Sequence, residues 1–402
     1  MIILHTADWH IGQSFYGYDR KAEHLHFFDW LKRTVREQGV DVLLIAGDVF
    51  DSPNPSAESQ KIYYTFLKEI TTENPGLQIV IIAGNHDSAA RLEAPNPLLE
   101  AMNISVVGTV GRTLDGEMDY ERLFIPLQKE GRTEAWCLAV PFLRQGDYPQ
   151  AESYSAGIRE MYNILYEKIR EAKDEDQPIV VMGHLHASGS ELSENDRSER
   201  IVGTLESVGT DVFEKDDIVY TALGHLHKPQ AVSGRENIRY AGSPLPMSFS
   251  EKNYKHGVDL IRLENGSMVE YKRLSLEPLA RLISLPKEPK PLSEVLEEIA
   301  ELPDGEVTAS SPYLELKVLI TEPEPSMRTQ IETALKEKAV RLTAANPFKL
   351  TDEREARVVS YEELKNISPM DMAEDIFRSK YGGEMPEAMK RLLLSVIQEA
   401  EQ

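Results

Sequence analysis

The chain has one cysteine among 402 residues, so no internal disulfide can form, and a reducing compartment suits it. That residue, Cys137, lies in the apolar stretch Ala135 to Val140, which predicts a buried, inert thiol rather than a nucleophile. Basic charge is scarce as well: 44 Lys and Arg stand against 67 Asp and Glu, a formal net charge of −23. This balance excludes a generally basic surface for gripping nucleic acid or anionic membrane. It suits a protein that meets phosphates through metal ions. No apolar run reaches the roughly 18 residues of a membrane span, and Met1 to Leu4 is too short for the apolar region of a signal peptide. A cytoplasmic location is the expectation. What the chain does have is an apolar fraction of 41%, enough for real cores, and a length that predicts two or three domains.

Met1 to Leu4 reads as a short apolar strand, followed by His5-Thr6-Ala7-Asp8-Trp9-His10. An amphipathic helix follows, with Leu25, Phe28, Leu31 and Val35 on one apolar face. Val42 to Ala46 is a second buried-strand candidate and ends in Gly47-Asp48-Val49-Phe50-Asp51. Ser56 can cap a helix whose Ile62, Tyr63, Phe66, Leu67 and Ile70 face inward. Ile79 to Ala83 is the third strand and stops at Gly84-Asn85-His86-Asp87, where the glycine is expected to let the backbone turn. Strands separated by helices predict a largely parallel sheet, whose ligands sit beyond the strands' carboxyl ends.

From Ile104 to about Val140, short strands broken by Gly, Asp and Pro suggest antiparallel pairing. A helix is expected over Tyr154 to Ala172. Then one tetrapeptide pattern follows an apolar strand twice, as Gly183-His184-Leu185-His186 and Gly224-His225-Leu226-His227. Between them, the polar stretch Ser188 to Arg200 reads as a surface loop. Prolines 278, 286, 289 and 291 mark a boundary near Ser275. Leu279 to Leu350 then reads strand, helix (292–302), strand (313–320), helix (326–338), strand (340–343). A polar linker follows Pro347, and two apolar-striped helices follow Ser368-Pro369, separated by Gly382-Gly383.

Phosphoester hydrolysis at neutral pH needs an activated water and compensation for charge on phosphorus, and two metals about 3.5–4 Å apart supply both. Such a pair needs mixed oxygen and imidazole ligands with one bridging carboxylate. The strand ends offer that set in Asp8, His10, Asp48, Asn85, His184, His225 and His227. These donors suit manganese, iron or zinc better than calcium, and the lack of thiolates disfavours a structural zinc.

Asp8-x-His10, Gly47-Asp48-x-x-Asp51, Gly84-Asn85-His86-Asp87, Gly183-His184 and Gly224-His225-x-His227 resemble, in order, the signature of the calcineurin-like metallophosphoesterases. Within that superfamily, Tyr220 to Gln230 and Arg239 to Ser250 resemble the nuclease subunits of bacterial repair complexes that work with a coiled-coil ATPase. The resemblance implies an α/β fold: a metallophosphoesterase β-sandwich flanked by helices (αββα), a small α/β capping domain and a C-terminal helical pair. The corresponding ranges are 1–275 for the nuclease domain, 276–350 for the capping domain, 351–367 for a linker and 368–402 for a segment that docks on the ATPase. It implies two divalent ions, manganese first, with magnesium, iron or zinc as alternatives. One ion would be held by Asp8, His10, Asp48 and His227, the other by Asp48, Asn85, His184 and His225. His86 would assist the leaving oxygen without binding metal, and Asp87 would fix its orientation.

The implied activity is double-strand exonuclease (3′–5′) and hairpin endonuclease cleavage in DNA repair, recombination and replication, by a homodimer within a heterotetramer and without membrane. The rival reading is a stand-alone phosphodiesterase or phosphatase for small nucleotides, which the acidic charge favours mildly. A scaffold with a degenerate metal site is a third, which the intact ligand set disfavours. Asp51 can cap the next helix and is not expected to act directly in catalysis; His186 has no ligand slot, which leaves support of a ligand or a DNA-facing place as its alternatives, and Arg91 is read either as meeting phosphate or as staying solvated. His5, His24, His26 and His256 are expected to be structural or exposed.

Overall fold

The strands that carry the candidate residues are largely apolar because each is covered on both faces. Along Val42–Ala46, residues 42, 44 and 46 enter one core while 43 and 45 enter another, and Gln78–Ile82 divides in the same way. The first core lies between two six-stranded sheets and includes Ile3, Val80, Cys137, Val180, Tyr220 and Ala222. The second lies under the helices Lys21–Gln38 and Ala57–Glu73, with Phe27, Phe28, Tyr63, Phe66 and Leu67. Helix Tyr154–Ala172 packs Ile158, Met161, Leu165 and Ile169 against the second sheet. The layers are helix, sheet, sheet, helix, as expected. This computed structural model describes residues 1–192, 206–320 and 324–349, and the isolated positions 377, 386, 389 and 390.

The first sheet runs Ser267–Ser275, Gly257–Glu264, Ile2–Thr6, Val42–Ala46, Gln78–Ile82, Ile104–Val107. Its last four strands are mutually parallel. Ile104–Val107 therefore extends the parallel sheet, and antiparallel pairing in the following region is made by Phe124–Lys129 with Arg132–Ala139 and by a single bridge between Arg112 and Met118. The second sheet runs Gln230–Val232, Arg235–Tyr240, Ile218–Gly224, Ile179–His184, Arg132–Ala139, Phe124–Lys129. Leu25 is 43% exposed, and Phe27 takes the inward place expected of it, because the buried stripe of that helix is rotated toward Trp9.

A separate three-stranded sheet, Leu282–Pro291, Tyr313–Ile320 and Arg341–Lys349, carries helices Leu292–Ala300 and Met327–Leu335. This is the strand–helix alternation read from the sequence. It meets the rest of the chain at Phe15, Phe249, Ala280 and Tyr313. There the Tyr313 hydroxyl donates to Glu23 Oε1 at 2.5 Å, and Glu23 pairs with Arg20 at 2.8 Å. Arg341 stacks on Tyr313, its guanidinium 3.6 Å from the ring centre. Residues 193–200 of the expected surface loop, the linker 351–367 and nearly all of the helical pair 368–402 lie outside the described residues. Among the described residues, no helix is long and apolar enough to cross a membrane.

Candidate metal centre

The two sheets close on each other at the carboxyl ends of Val42–Ala46 and Ile218–Gly224. A Cβ on residue 224 would fall 1.9 Å from the Ala46 carbonyl oxygen, so only glycine allows the approach. Gly84 has the same use: a Cβ there would lie 2.1 Å from Asp48 Oδ1. That glycine serves close contact rather than the turn expected of it. Left-handed backbone falls instead on Asp8 (φ 54°), His10 (46°), Asp48 (49°) and His225 (101°). Such conformations cost about 1–3 kcal/mol each in non-glycine residues, and they gather at functional sites.

All seven candidate donors come to this junction, Asp8, His10, Asp48 and Asn85 from the first sheet and His184, His225 and His227 from the second. His184 Nδ1 donates to the Ala46 carbonyl at 2.8 Å, which makes Nε2 the nitrogen that can meet a metal once it gives up its proton. That nitrogen lies 3.0 Å from Asn85 Oδ1 and 3.2 Å from Asp48 Oδ2. His225 Nδ1 is 3.1 Å from the same Asn85 oxygen. Asp48, His184 and His225 thus present donor atoms within 4.8 Å of one another. His227 Nδ1 faces the buried Glu251 Oε1 at 3.3 Å, a second carboxylate–histidine pair. Imidazoles that hold metals are oriented by such contacts on their other nitrogen.

On the other side, His10, Asp48 and His86 form a second group within 4.8 Å. His10 packs edge-on to His86 (ring centres 4.8 Å apart) and to His227 (5.2 Å). Neither ring nitrogen of buried His10 makes a hydrogen bond among the described residues, although Asp51 Oδ1 lies 3.3 Å from Nδ1. Asp8 accepts the His225 N–H on Oδ1 at 2.9 Å, while its buried Oδ2 has no such partner among the described residues. Burying unpartnered polar atoms is costly, and a cation placed between them removes that cost. The residues present therefore fit the divalent ions that the donor chemistry implies.

Electrostatics point the same way. Burial pushes the Asp8 carboxyl up to about 6, against the pull of His184 and His227. Burial also opposes ionisation of Asp48, but His184, His10 and His86 hold its carboxyl well below the usual range. For His184, burial is outweighed by the Asp48 carboxylate, which raises its pKa to about 9.

Two expected roles are corrected. The Asp87 carboxylate bonds to backbone rather than holding the His86 ring directly: it accepts from the N–H groups of Gly84 (2.9 Å), Phe50 (2.9 Å) and Val49 (3.1 Å), tying two strand-end loops together. His86 Nδ1 instead donates to the Asp51 carbonyl at 3.0 Å. Asp51 is not the cap of helix Ala57–Glu73 either, because Ser56 fills that place. Arg91 pairs with Asn54 on the surface, and His186 is buried with its carbonyl accepting the Val208 N–H at 2.8 Å. His5 and His24 are buried and hydrogen-bonded, His24 Nε2 reaching the Trp9 carbonyl at 2.9 Å between two candidate ligands. Glu251, in the turn Phe249–Glu251, was not legible beforehand, since no motif spacing links it to His227. Burial pushes the Cys137 thiol up, consistent with an inert core residue.

A family model described as calcineurin-like phosphoesterase matches residues 1–229, and one described as type 5 capsule protein repressor C-terminal domain matches residues 278–381. The chain is 38% identical over 354 residues to the D subunit of nuclease SbcCD from Rhodobacter capsulatus, covering 85% of this chain and 86% of that protein. The protein of the same name from Escherichia coli K12 is 34% identical over 70% of each chain. The one from Bacillus subtilis is 27% identical over 98% of this chain and 97% of its own length. With the αββα layers and the seven converging donors, these matches mean that the chain belongs to the calcineurin-like phosphoesterases and, within them, to the family of SbcCD nuclease D subunits.

Proposed function

We propose that this chain is the metal-dependent nuclease subunit that acts with an SbcC ATPase on DNA ends and hairpins, in repair, recombination and replication. The observation that carries the reading is the group of buried atoms that make no hydrogen bond among the described residues, Asp8 Oδ2 and both His10 ring nitrogens, beside two histidines whose other nitrogen is already held. The proposed ligands are Asp8, His10, Asp48 and His227 for one ion and Asp48, Asn85, His184 and His225 for the other. Manganese is proposed first because the donors are carboxylate, amide and imidazole. When bound, two such ions activate water and offset charge on the phosphoryl oxygens.

The chain's own residues do the rest. Asp48 presents one oxygen to His184 and the other to the His86 N–H, at 2.8 Å, so it joins the two halves. The Asp51 carbonyl can only accept, so it takes the Nδ1–H of His86 and turns Nε2 toward the substrate; in the imidazolium form Nε2 gives its proton to the leaving oxygen, and the ring is left neutral with its proton on Nδ1. Asp87, through the loops it staples, positions both Asp48 and His86. We assign residues 1–275 to the nuclease domain, 276–350 to the capping domain, 351–367 to a linker and 368–402 to the segment that docks on SbcC. A homodimer within a heterotetramer, 3′–5′ polarity and a cytoplasmic location are proposed with the family.

The test is manganese-dependent release of nucleotides from a labelled duplex by the full chain, with and without SbcC. Substituting His86→Gln should cut that release at least about a hundredfold while two manganese ions and DNA binding remain, as befits loss of a general acid. Loss of an ion in this variant would make His86 a ligand, as its grouping with His10 and Asp48 also permits. No nucleotide release by the unsubstituted chain with SbcC would sink the nuclease reading.

Metal binding should also release protons. Near pH 7.5 His184, with its raised pKa, is protonated in the metal-free protein, and a ligand must be neutral. Apparent affinity should therefore rise with pH until about 9 and fall below it. Titration calorimetry in two buffers of different ionisation enthalpy should give about one proton released per chain. Identical heats in both buffers would contradict this.

A further inference from the structure

Residues 228–281 hold nine Lys and Arg against six Asp and Glu, in a chain whose net charge is −23. Four of those cations, Lys228, Arg239, Lys255 and Arg273, line one cleft together with Tyr254 and Tyr271. Lys228 follows His227 directly in the chain, so one of the cleft's cations is tied to a candidate ligand by a single peptide bond.

The cleft is braced from below. Asp259 is fully buried and is shared by two guanidiniums, Arg273 at 2.9 Å and Arg239 at 3.4 Å. The Tyr271 hydroxyl also donates to it, at 3.2 Å. One carboxylate beneath two arginines leaves a positive excess. Arg273 directs Nε–H and one Nη2–H at the Lys255 carbonyl, at 3.0 and 2.8 Å, which fixes the loop that presents Lys255. Arg239 lies flat on Tyr271, its guanidinium carbon 3.8 Å from the ring centre. The other acids in reach, Glu236 on Arg239 and Glu191 on Lys228, are well exposed, where solvent and salt weaken their hold. The exposed Lys255 makes no ion pair among the described residues.

We propose that this cleft seats the phosphodiester backbone of the DNA strand that leads to the metal centre. The proposal rests on the nuclease reading and adds the place where an acidic protein accepts a polyanion. Net negative charge repels DNA at a distance, so approach requires a local positive field beside the reacting bond. Lys255 and Lys228 reach phosphate as mobile ammonium groups, while Arg239 and Arg273 supply a fixed field that needs no reorganisation on binding.

Fluorescence anisotropy of a labelled duplex with the full chain, in EDTA so that nothing is cut, reads the cleft. Lys255→Glu should weaken DNA binding about tenfold at 100 mM salt and flatten the dependence of log affinity on log salt by about one to two, as lost phosphate contacts do. Lys255→Arg should restore both. The Lys255 carbonyl that holds Arg273 belongs to the backbone, so the substitution leaves the brace in place. Manganese-dependent hydrolysis of bis(p-nitrophenyl) phosphate, too short to span the cleft, reads the metal centre separately and should be unchanged by Lys255→Glu. Unaltered affinity and salt slope in Lys255→Glu, or a wild-type chain that does not bind the duplex, would overturn the cleft assignment. A wild-type chain that binds DNA but hydrolyses neither substrate would overturn the nuclease reading and leave the cleft standing as a binding site.

Discussion

Asp48→Ala should abolish the binding of both ions and reduce manganese-dependent hydrolysis by about three orders of magnitude or more, since every role of a two-metal site depends on the pair. The reason lies in where the carboxylate sits. Oδ2 is 3.2 Å from His184 and 3.8 Å from His10, on opposite sides of the centre, and Oδ1 accepts the His86 N–H. No other described carboxylate joins both donor groups. Its removal takes away the carboxylate that lies between the His184 and His10 imidazoles. Asp48→Asn keeps the size and the bond to His86 but not the charge, and should retain at most one weakly held ion. Metal content after dialysis, with circular dichroism to confirm folding, checks this. Two ions still bound to Asp48→Ala would remove Asp48 as the bridge.

Asp259→Ala should destabilise the protein by about 3–5 kcal/mol, the range for stripping the partner from buried charges. Asp259 is the common acceptor for Arg239, Arg273 and the Tyr271 hydroxyl, and it lies beside His5 in the adjacent strand. Without it, two guanidiniums repel each other where water enters poorly. His5 already feels them: burial and then the charges of Arg273 and Arg239 push its pKa down to about 3. Asp259→Asn keeps acceptors but no charge and should recover part of the loss. Urea unfolding followed by fluorescence reads the effect, and a change below about 1 kcal/mol would mean that solvent reaches the pair. The same substitution should loosen the Lys255 loop, so stability and DNA affinity should fall together.

Much of the site was legible because it sits at the ends of doubly covered strands. Such strands read as unbroken apolar runs, so the first polar residues after them stand out, as Asp8, Asp48, Asn85, His184 and His225 do. The roles of neighbours were less legible. Asp87 stands beside His86 in sequence, yet its partners are the amides of Val49 and Phe50, brought in by the loop after the neighbouring strand. The Asp51 carbonyl that orients His86 belongs to a backbone group, which no side-chain motif can announce. Glu251 reaches His227 only because the turn at Phe249–Glu251 folds back beneath it.

The sequence by itself determined the donor types, the strand ends that carry them and the strand–helix order of the smaller module, because these depend on local hydrophobic pattern and side-chain chemistry. Only the tertiary structure decided which nitrogen of His184 and His227 is held from behind, what Asp87 and Asp51 do, and which cations stand together over Asp259. Those outcomes depend on contacts between segments far apart in the chain, set by how closely two sheets can approach at Gly224 and Gly84.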